Sequence, residues 1–456
     1  MKIWSNEENY KVGRSTFPSL GSNIADLSRS LAGQLESLNY PLPTFDINAP
    51  ASLPLDPEIQ DVRLKLLENI ARLQHLVTGP SDFWFQESMF LNHELLTFDV
   101  FNNFKFWEAV PLNASASYAE IAERTNLPEQ IVRRFLKMGF TLFVFAEEAP
   151  GSDRVVHTAA SAHMVRSPFV RSFVAHCLED VRPAATVGVE ALRKWFMGRE
   201  EAPEDVETCA WPLATDDGRQ RGVHIWPFFD NFERHGQPKG FRAGRFAEAM
   251  QGLGETSGVM TETVLRKFDW GSLGEATVVD MGGSAGHISA MLAENYPKLD
   301  IVVQDLPSVE SAFNANIGSS PYAPRIRFQS HDFFQTQTLS ADVFLLKSVL
   351  HDWSDQYVLQ IVRHLLDVLK PGNHLLIFDI VVPADYDAES KSATPLPVRK
   401  WVSAMDLQMH LACNSKERTV NDWVKVIQQA DTRFEFKEAH VPAGSPLGIF
   451  DFVFQG

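Results

Sequence analysis

Residues 277–305 read TVVDMGGSAGHISAMLAENYPKLDIVVQD, and this stretch decides the fold. An apolar run ends at Asp280, small residues follow at 282–286, and a second apolar run at 301–303 leads to Asp305. The pattern predicts a strand, a tight turn, a helix and a second strand that carries an acid at its end. In a doubly wound sheet, this order is typical of a site for a cofactor that contains a nucleoside.

The glycines of this turn stand at 282, 283 and 286, so their spacing differs from the G-x-G-x-x-G of dinucleotide-binding sites. Glycine lets the backbone turn sharply and approach a ligand where a Cβ would collide. Asp305 stands about 20 residues beyond the glycines, where an acid can accept both ribose hydroxyls. A glycine turn alone is weak evidence for a ligand. With Asp280 in front, the turn resembles the D-x-G-G-x-x-G of methyltransferases that use S-adenosylmethionine (SAM), which bind an amino-acid tail here.

Composition limits the possible classes of protein. The chain has 456 residues, of which 45% are hydrophobic and 22% charged, which suits a globular protein of two or three domains. Its net charge of −17 predicts that neither nucleic acid nor an anionic membrane is a partner, because their phosphates would be repelled. The cysteines, Cys177, Cys209 and Cys413, lack C-x-x-C spacing, so we expect neither a disulfide framework nor a metal site.

The beginning of the sequence predicts a location. Its first residues, MKIWSNEENY, lack the apolar segment of a signal peptide, and no run of about 18 apolar residues occurs along the chain. We therefore expect a reducing, cytoplasmic setting.

The first 80 residues contain two patterns with helical spacing. Leucines recur at 27, 31, 35 and 38, and apolar residues recur at 62, 66, 70, 73 and 77. Each set predicts one face of a helix. Packing inside the protein is the simplest use of such a face, and a dimer interface is the alternative.

Residues 117–158 predict a winged helix. A capping box at Ser117 opens one helix, a turn at 126–128 leads to a second helix that ends at Gly139, and residues 140–145 and 155–158 are predicted to form a hairpin. Winged helices usually bind DNA, and the second helix carries Arg133, Arg134 and Lys137. The acidic chain favours a scaffold that has been kept without DNA binding.

The pattern changes after residue 268, where we place the domain boundary. Residues 1–268 are predicted to form an N-terminal helical and winged-helix domain, with a loop at 198–222. Residues 269–456 alternate between strands and helices. Beyond Asp305, strands are predicted at 326–329, 342–347, 374–382, 434–441 and 448–454, the last two as a hairpin.

Several motifs follow one another in a recognisable order: VVDMGGSAGH, VVQDLP, SHDFF, LLKSVLHDWSD, LKPG, LLIFDIVVP and SKERT. With them, the chain from about residue 41 to its end resembles the fungal and plant small-molecule O-methyltransferases of the caffeate O-methyltransferase-like class. The resemblance implies an α/β fold, a class I SAM methyltransferase with a Rossmann-like seven-stranded sheet and an N-terminal dimerisation domain. It also implies a homodimer, SAM as the cofactor and a small-molecule substrate.

The same resemblance implies a role for individual residues. The implied cofactor-binding residues are Gly282, Gly283 and Gly286 for the methionine part, Asp305 for the ribose, Asp332 and Phe333 for the adenine, and Lys347 facing the cofactor. His351 is the implied general base, and Asp379 and Glu417 are the acids that orient it. A histidine of pKa about 6.5 can remove the proton of a phenol of pKa about 10 as the methyl group is transferred. Alignment of the reacting atoms then supplies much of the rate.

Simpler interpretations exist for each residue. The chain has 14 histidines, and His351 stands out only by its place after the fourth predicted strand. Asp379 and Glu417 could be ordinary charged residues. The chain also departs from the family, because residues 414–419 read NSKERT where relatives often read NGKERT. The stretch 198–222 and the WPFF at 226–229 fall where relatives line the substrate pocket, near His163.

Three functions remain open. The first is a SAM-dependent O-methyltransferase that acts on an aromatic or polyketide-type secondary metabolite. The alternative is a SAM-bound pericyclase or dehydratase-type cyclase on the same fold, with Lys347, His163 and His351 as donors or acid–base groups. The third is a regulator that senses SAM or binds DNA, which the net charge of −17 disfavours.

Overall fold

The computed structural model describes residues 17–216, 222–233, 236–383, 394–442 and 444–456, without the side chains of 254–260. The chain divides into two units. The first contains residues 1–182, 242–256 and 387–397, and the second contains residues 183–241, 257–386 and 398–456. This division groups residues 183–241 with the second unit, and the domain boundary placed after residue 268 stays a prediction.

The first unit is mainly helical. Its helices and strands, in chain order, are α1 (Phe17–Ser37), α2 (Pro57–Asn103), α3 (Phe106–Ala109), β1 (Ala116–Ser117), α4 (Tyr118–Thr125), α5 (Glu129–Thr141), β2 (Phe145–Glu147), β3 (Arg154–His157), α6 (Ala159–Arg166) and α7 (Pro168–Ala175), followed by a π-helical segment at His176–Val181. The strands form a small antiparallel sheet in the order β1-β3-β2.

Both predicted N-terminal helices are present. α2 begins after Asp56, whose carboxylate accepts hydrogen bonds from two N–H groups of the first turn. The apolar pattern ends at residue 77 because the helix is interrupted at Gly79, where φ is 71° and Pro80 follows. A glycine in this conformation next to a proline kinks the helix there. A second helical segment then continues to Asn103.

The capping box of Ser117 and Glu120 is confirmed. The predicted end of α5 at Gly139 is wrong, since the helix continues to Thr141 and the first hairpin strand starts only at Phe145. Gly139 is needed for packing, because a Cβ there would lie 2.8 Å from the Phe101 ring. The order helix, helix, hairpin is as expected.

The second unit carries the large sheet. Its helices and strands are α8 (Arg182–Thr186), α9 (Gly188–Ala191), α10 (Ala210–Thr215), α11 (Ile225–Asn231), α12 (Phe241–Leu265), β4 (Ala276–Met281), α13 (His287–Asn295), β5 (Leu299–Asp305), α14 (Glu310–Ile317), β6 (Ile326–Ser330), β7 (Val343–Lys347), α15 (Asp355–Arg363), β8 (His374–Ile380), α16 (Leu396–Cys413), α17 (Val420–Ala430), β9 (Phe434–His440) and β10 (Leu447–Phe454). Some residues of α8, α12 and α16 belong to the first unit.

The seven strands are ordered β6-β5-β4-β7-β8-β10-β9. β4 to β8 are parallel, and β10 pairs antiparallel with both β8 and β9. The chain leaves β4 for β5 on one side and later returns to β7 on the other side. Ligands of open α/β sheets bind at such a switch point, beyond the carboxyl ends of the strands. The predicted α/β fold with a seven-stranded sheet is confirmed.

Burial explains why the central strands formed such continuous apolar runs. Val278, Val279, Val302, Phe344 and Leu345 are fully buried. Parallel strands are covered on both faces, so they need apolar residues at successive positions. Among the described residues, no helix combines the length and apolar character that crossing a bilayer requires.

Candidate active site

The glycine turn after β4 is tightly packed. The N–H of Gly282 donates to the carbonyl of Gln304 at 2.7 Å. Gly282 has φ of 70°, and a Cβ there would lie 2.8 Å from a methyl group of Val349. A Cβ on Gly283 would lie 2.7 Å from the carboxyl carbon of Asp280. Only glycine fits these two positions, and the turn consequently exposes its backbone at the switch point.

Asp280 holds the turn to the following helix. Its side chain is buried, and Oδ2 accepts a hydrogen bond of 2.7 Å from Ser289 Oγ in α13. Burial raises the pKa of Asp280 to about 6, although the hydrogen bond from Ser289 and the charge of Lys347 oppose this shift.

Asp305, at the end of β5, is tied to the same turn. Its Oδ2 accepts the N–H of Ser284 at 2.9 Å, and its Oδ1 accepts the N–H of Leu306 at 2.7 Å. Burial raises the pKa of Asp305, and the two N–H groups oppose that rise. A carboxylate oxygen has more than one lone pair, so both oxygens can still accept a hydroxyl donor.

Asp332 and Phe333 follow β6. Oδ1 of Asp332 accepts the N–H of Phe334 at 2.9 Å, which fixes the turn. The ring of Phe333 lies edge-on, with its centroid 6.0 Å from that of Trp353. Trp353 belongs to the His-Asp-Trp motif, so the predicted adenine site shares an aromatic contact with the turn that carries His351.

Lys347 ends β7 and is half-buried. Burial lowers the pKa of its ammonium group, and the charges of Asp379 and Asp280 oppose the change. Its Nζ lies 5.7 Å from the centre of the Phe378 ring. Lys347 is therefore coupled to the acid of the glycine turn and to an acid beside His351.

His351 lies in a short 3₁₀ turn, Leu350–Asp352, directly after β7. Its Nδ1 is 3.0 Å from Oε1 of Glu417 and 3.6 Å from Oδ1 of Asp379. Nε2 is 3.6 Å from Oδ1 of Asp352. The structure thus brings together His351, Asp379 in β8 and Glu417 between α16 and α17, all buried. Their catalytic roles stay predictions.

The electrostatics of this cluster favour a proton on the imidazole. Burial alone would lower the pKa of His351, but the carboxylates of Asp379, Glu417 and Asp352 outweigh it and hold that pKa well above its ordinary value. Burial raises the pKa of Asp379 to about 6 and that of Asp352 to about 7. In the neutral imidazole, an N–H at Nδ1 can donate to Glu417, which leaves Nε2 as the atom that can accept a proton.

The donor atoms of His351, Asp379 and Glu417 lie within 4.8 Å of one another, as they would around a metal ion. The 3.0 Å separation of Nδ1 and Oε1 is also a normal hydrogen-bond distance. Within the described residues, Oε2 of Glu417 is buried without a hydrogen-bond partner. We interpret the cluster as one that handles protons.

Sequence reasoning missed three residues of the site. Asp352 approaches Nε2 of His351, Ser415 Oγ donates to the His351 carbonyl, and the buried guanidinium of Arg418 donates to the carbonyls of Leu350 and Trp353. The sequence could have indicated two of them by their adjacency to predicted site residues, because Asp352 follows His351 and Arg418 follows Glu417 in the chain.

The expected substrate-lining segments are only partly loops. The predicted loop at 198–222 contains α10, and its residues 217–221 lie outside the described part of the chain. The WPFF residues lie in α11, where Phe228 and Phe229 are buried with their ring centres 5.5 and 5.7 Å from that of Trp211. His163 lies in the first unit.

Known proteins resemble this chain in sequence and in fold. The O-methyltransferase domain family matches residues 229–433. The O-methyltransferase lcsG of Purpureocillium lilacinum is 30% identical over 95% of this chain and 92% of its own length. The grayanic acid biosynthesis cluster O-methyltransferase of Cladonia grayi is 32% identical over 92% and 84%, respectively.

A solved structure, LepI in complex with SAM, has a TM-score of 0.70 over 95% of this chain and all of its own, at 17% identity. At this identity the likeness concerns the fold. The two fungal relatives, by contrast, are similar in sequence to this protein over nearly its full length. The protein is thus an enzyme of the O-methyltransferase family, with SAM as its cofactor.

Proposed function

We propose that this enzyme transfers the methyl group of SAM to a hydroxyl of an aromatic or polyketide-type secondary metabolite, with His351 as the general base. The observation that carries the proposal is the buried imidazole whose Nδ1 lies 3.0 Å from Glu417 Oε1. That contact orients the ring and leaves Nε2 for a substrate hydroxyl. The fungal relatives support the substrate class, since one is named for the biosynthesis of grayanic acid.

The chain's own residues account for the deprotonation step. Nε2 of His351 would take the hydroxyl proton, and the resulting imidazolium would be stabilised by Asp379 and Glu417. When bound, SAM supplies a methyl group that its sulfonium has already activated. Burial of the base excludes water and strengthens the attraction of the carboxylates to the imidazolium.

The residues present also fit SAM. We propose that Gly282, Gly283 and Gly286 hold the methionine part through the backbone of their turn, which no Cβ shields from a ligand. A Cβ at any of them would also collide with the protein itself, within 3.1 Å of Val349, Asp280 or Ile317. Asp305 would accept the ribose hydroxyls. The other proposed contacts are Asp332 and Phe333 for adenine, and Lys347 towards the cofactor.

A product-mass experiment tests the proposed reaction. Purified enzyme is incubated with SAM that carries a deuterated methyl group and with a panel of phenols and hydroxylated polyketides, followed by mass spectrometry. We expect S-adenosylhomocysteine and a product that has gained one deuterated methyl group. A product of unchanged mass, or one lighter by a water molecule, formed while SAM is required but not consumed would contradict methyl transfer and support the cyclase.

We predict that Glu417→Gln moves the acid limb of the kcat/KM–pH profile to lower pH. The base must be neutral to accept a proton, and neighbouring carboxylates raise the pKa of His351, so activity should be lost as pH falls through that raised value. Replacing the Glu417 carboxylate with an amide lowers the pKa of His351. The variant should also lose about 10-fold or more in kcat, because the imidazolium is less stabilised.

Glu438→Gln provides the control for this prediction. Glu438 also pairs with a histidine, His440, at 3.0 Å, but both side chains are partly exposed in β9. The control should leave the profile unchanged. An acid limb that stays in place in Glu417→Gln would show that Glu417 does not act on the base.

We also propose that the first unit forms a homodimer through α2 and that its helix–helix–hairpin segment is a winged helix without DNA contacts. Trp84 and Phe85 of α2 are 71% and 62% exposed, which a soluble surface rarely shows for adjacent aromatic residues. Arg133 on α5 is paired with Glu129 and Asp153, so its charge is compensated.

Trp84→Arg tests the dimer. A buried arginine would destabilise an apolar interface, so we expect the mass measured by light scattering to fall from twice 51.2 kDa to 51.2 kDa. Val441→Arg, at an exposed valine of the second unit, should stay dimeric. A wild-type mass of one chain would contradict the proposal.

A further inference from the structure

His351 is held at three separate points. Its N–H donates to Oδ2 of Asp379 at 3.2 Å, its carbonyl accepts from Oγ of Ser415 at 2.6 Å, and its ring contacts Glu417 at 3.0 Å. With both peptide groups of the residue fixed, only the two side-chain torsions can move the ring. The contact with Glu417 restricts those as well.

Two of these contacts come from one segment, residues 415–418. Arg418, the last residue of this segment, strengthens the same connection, because its guanidinium donates to the carbonyls of Leu350 at 3.2 Å and Trp353 at 2.8 Å. Arg418 is fully buried, and its charge is balanced by Asp355 at 2.7 Å. The segment therefore binds the turn before, at and after the base.

The segment is itself anchored. Asn414, with a positive φ of 52°, has its Nδ2 2.8 Å from each of three acceptors, the carbonyls of Pro203 and Asp205 and Oγ1 of Thr208, which share its two amide hydrogens. The position of Ser415 is thus set from the preceding residue. Ser415 itself is 6% exposed, so water does not readily replace its hydroxyl as a donor.

We infer that Ser415 is a positioning residue for the base, acting through the main-chain carbonyl of His351. This rests on the proposed role of His351. The bond depends on the Ser415 hydroxyl, which is the donor to the His351 carbonyl. Without it, the turn can shift and the imidazole separates from Glu417 and Asp379.

Ser415→Ala tests the inference, and Ser354→Ala is its matched control. Ser354 is equally buried, lies three residues after His351 at the start of α15, and donates from Oγ to the carbonyl of Glu204 at 2.7 Å, but it makes no bond to His351. We expect Ser415→Ala to lower kcat about 5- to 10-fold, the rate equivalent of one hydrogen bond, with KM for SAM unchanged. Ser354→Ala should keep the wild-type kcat.

The second measurement follows the imidazole directly. In NMR titrations of protein with carbon-13-labelled histidine, the pKa of His351 should fall towards its ordinary value in Ser415→Ala and stay raised in Ser354→Ala. His351→Asn assigns the signal. An unchanged His351 pKa in Ser415→Ala, or an equal fall in both variants, would overturn the inference. This titration needs no methyl acceptor, so it decides the role of Ser415 even if the product-mass experiment contradicts methyl transfer.

Discussion

His351→Asn should lower kcat by about 10²- to 10⁴-fold, the range that general bases contribute, while SAM still binds. Asparagine is close to histidine in size and can donate from its amide to Glu417, but it cannot accept the substrate proton at pH 7. Burial already raises the pKa of Asp379 to about 6, so this acid can neutralise its charge when the imidazole is removed. We therefore expect His351→Asn to lower the catalytic rate while the variant stays folded.

The measurement pairs turnover with calorimetry of SAM binding. His374→Asn is the control, since Nδ1 of His374 also contacts a carboxylate, Asp451 Oδ1, at 2.7 Å, in the same sheet. It should keep the wild-type kcat. A His351→Asn enzyme that turns over normally would exclude His351 as the base, whatever the product.

The local parts of the site could be predicted because the sequence alone contains their geometry. The glycine turn, Asp280 and Asp305 fall within 29 consecutive residues, and β4, α13 and β5 follow the predicted order. The strand ends also place His351 after β7. Each of these statements depends only on apolar periodicity and on where a Cβ can be accommodated.

The long-range contacts could not be obtained in this way. His351 and Glu417 are 66 residues apart, and only the family resemblance related them. Ser415 and Arg418 bind main-chain carbonyls, which every residue has, so no side-chain pattern indicates them. The predicted end of α5 was wrong because of another long-range contact. Gly139 was interpreted as a helix terminator, whereas its missing side chain makes room for the Phe101 ring.

Asp305→Ala should weaken SAM binding by about 10²-fold or more. Hydrogen bonds to a charged acceptor contribute about 1.5–3 kcal/mol each, and two ribose hydroxyls would be left without one. The variant also loses the acceptors for the N–H groups of Ser284 and Leu306. The first of these belongs to the glycine turn, so the turn should loosen at the same time.

Two comparisons separate the ribose contact from a general loss of structure. Asp300→Ala removes an exposed acid from the other end of β5, where it pairs with Arg327, and should leave the Kd for SAM unchanged. The second comparison uses a SAM analogue without the two ribose hydroxyls. Wild-type enzyme should bind it much more weakly than SAM. Asp305→Ala should bind both alike, because the variant has already lost the carboxylate that the ribose hydroxyls would contact, so removing the hydroxyls costs no further binding energy. If the variant still discriminated between them, the ribose would be bound elsewhere, and the acid at the end of β5 would serve only to hold the glycine turn.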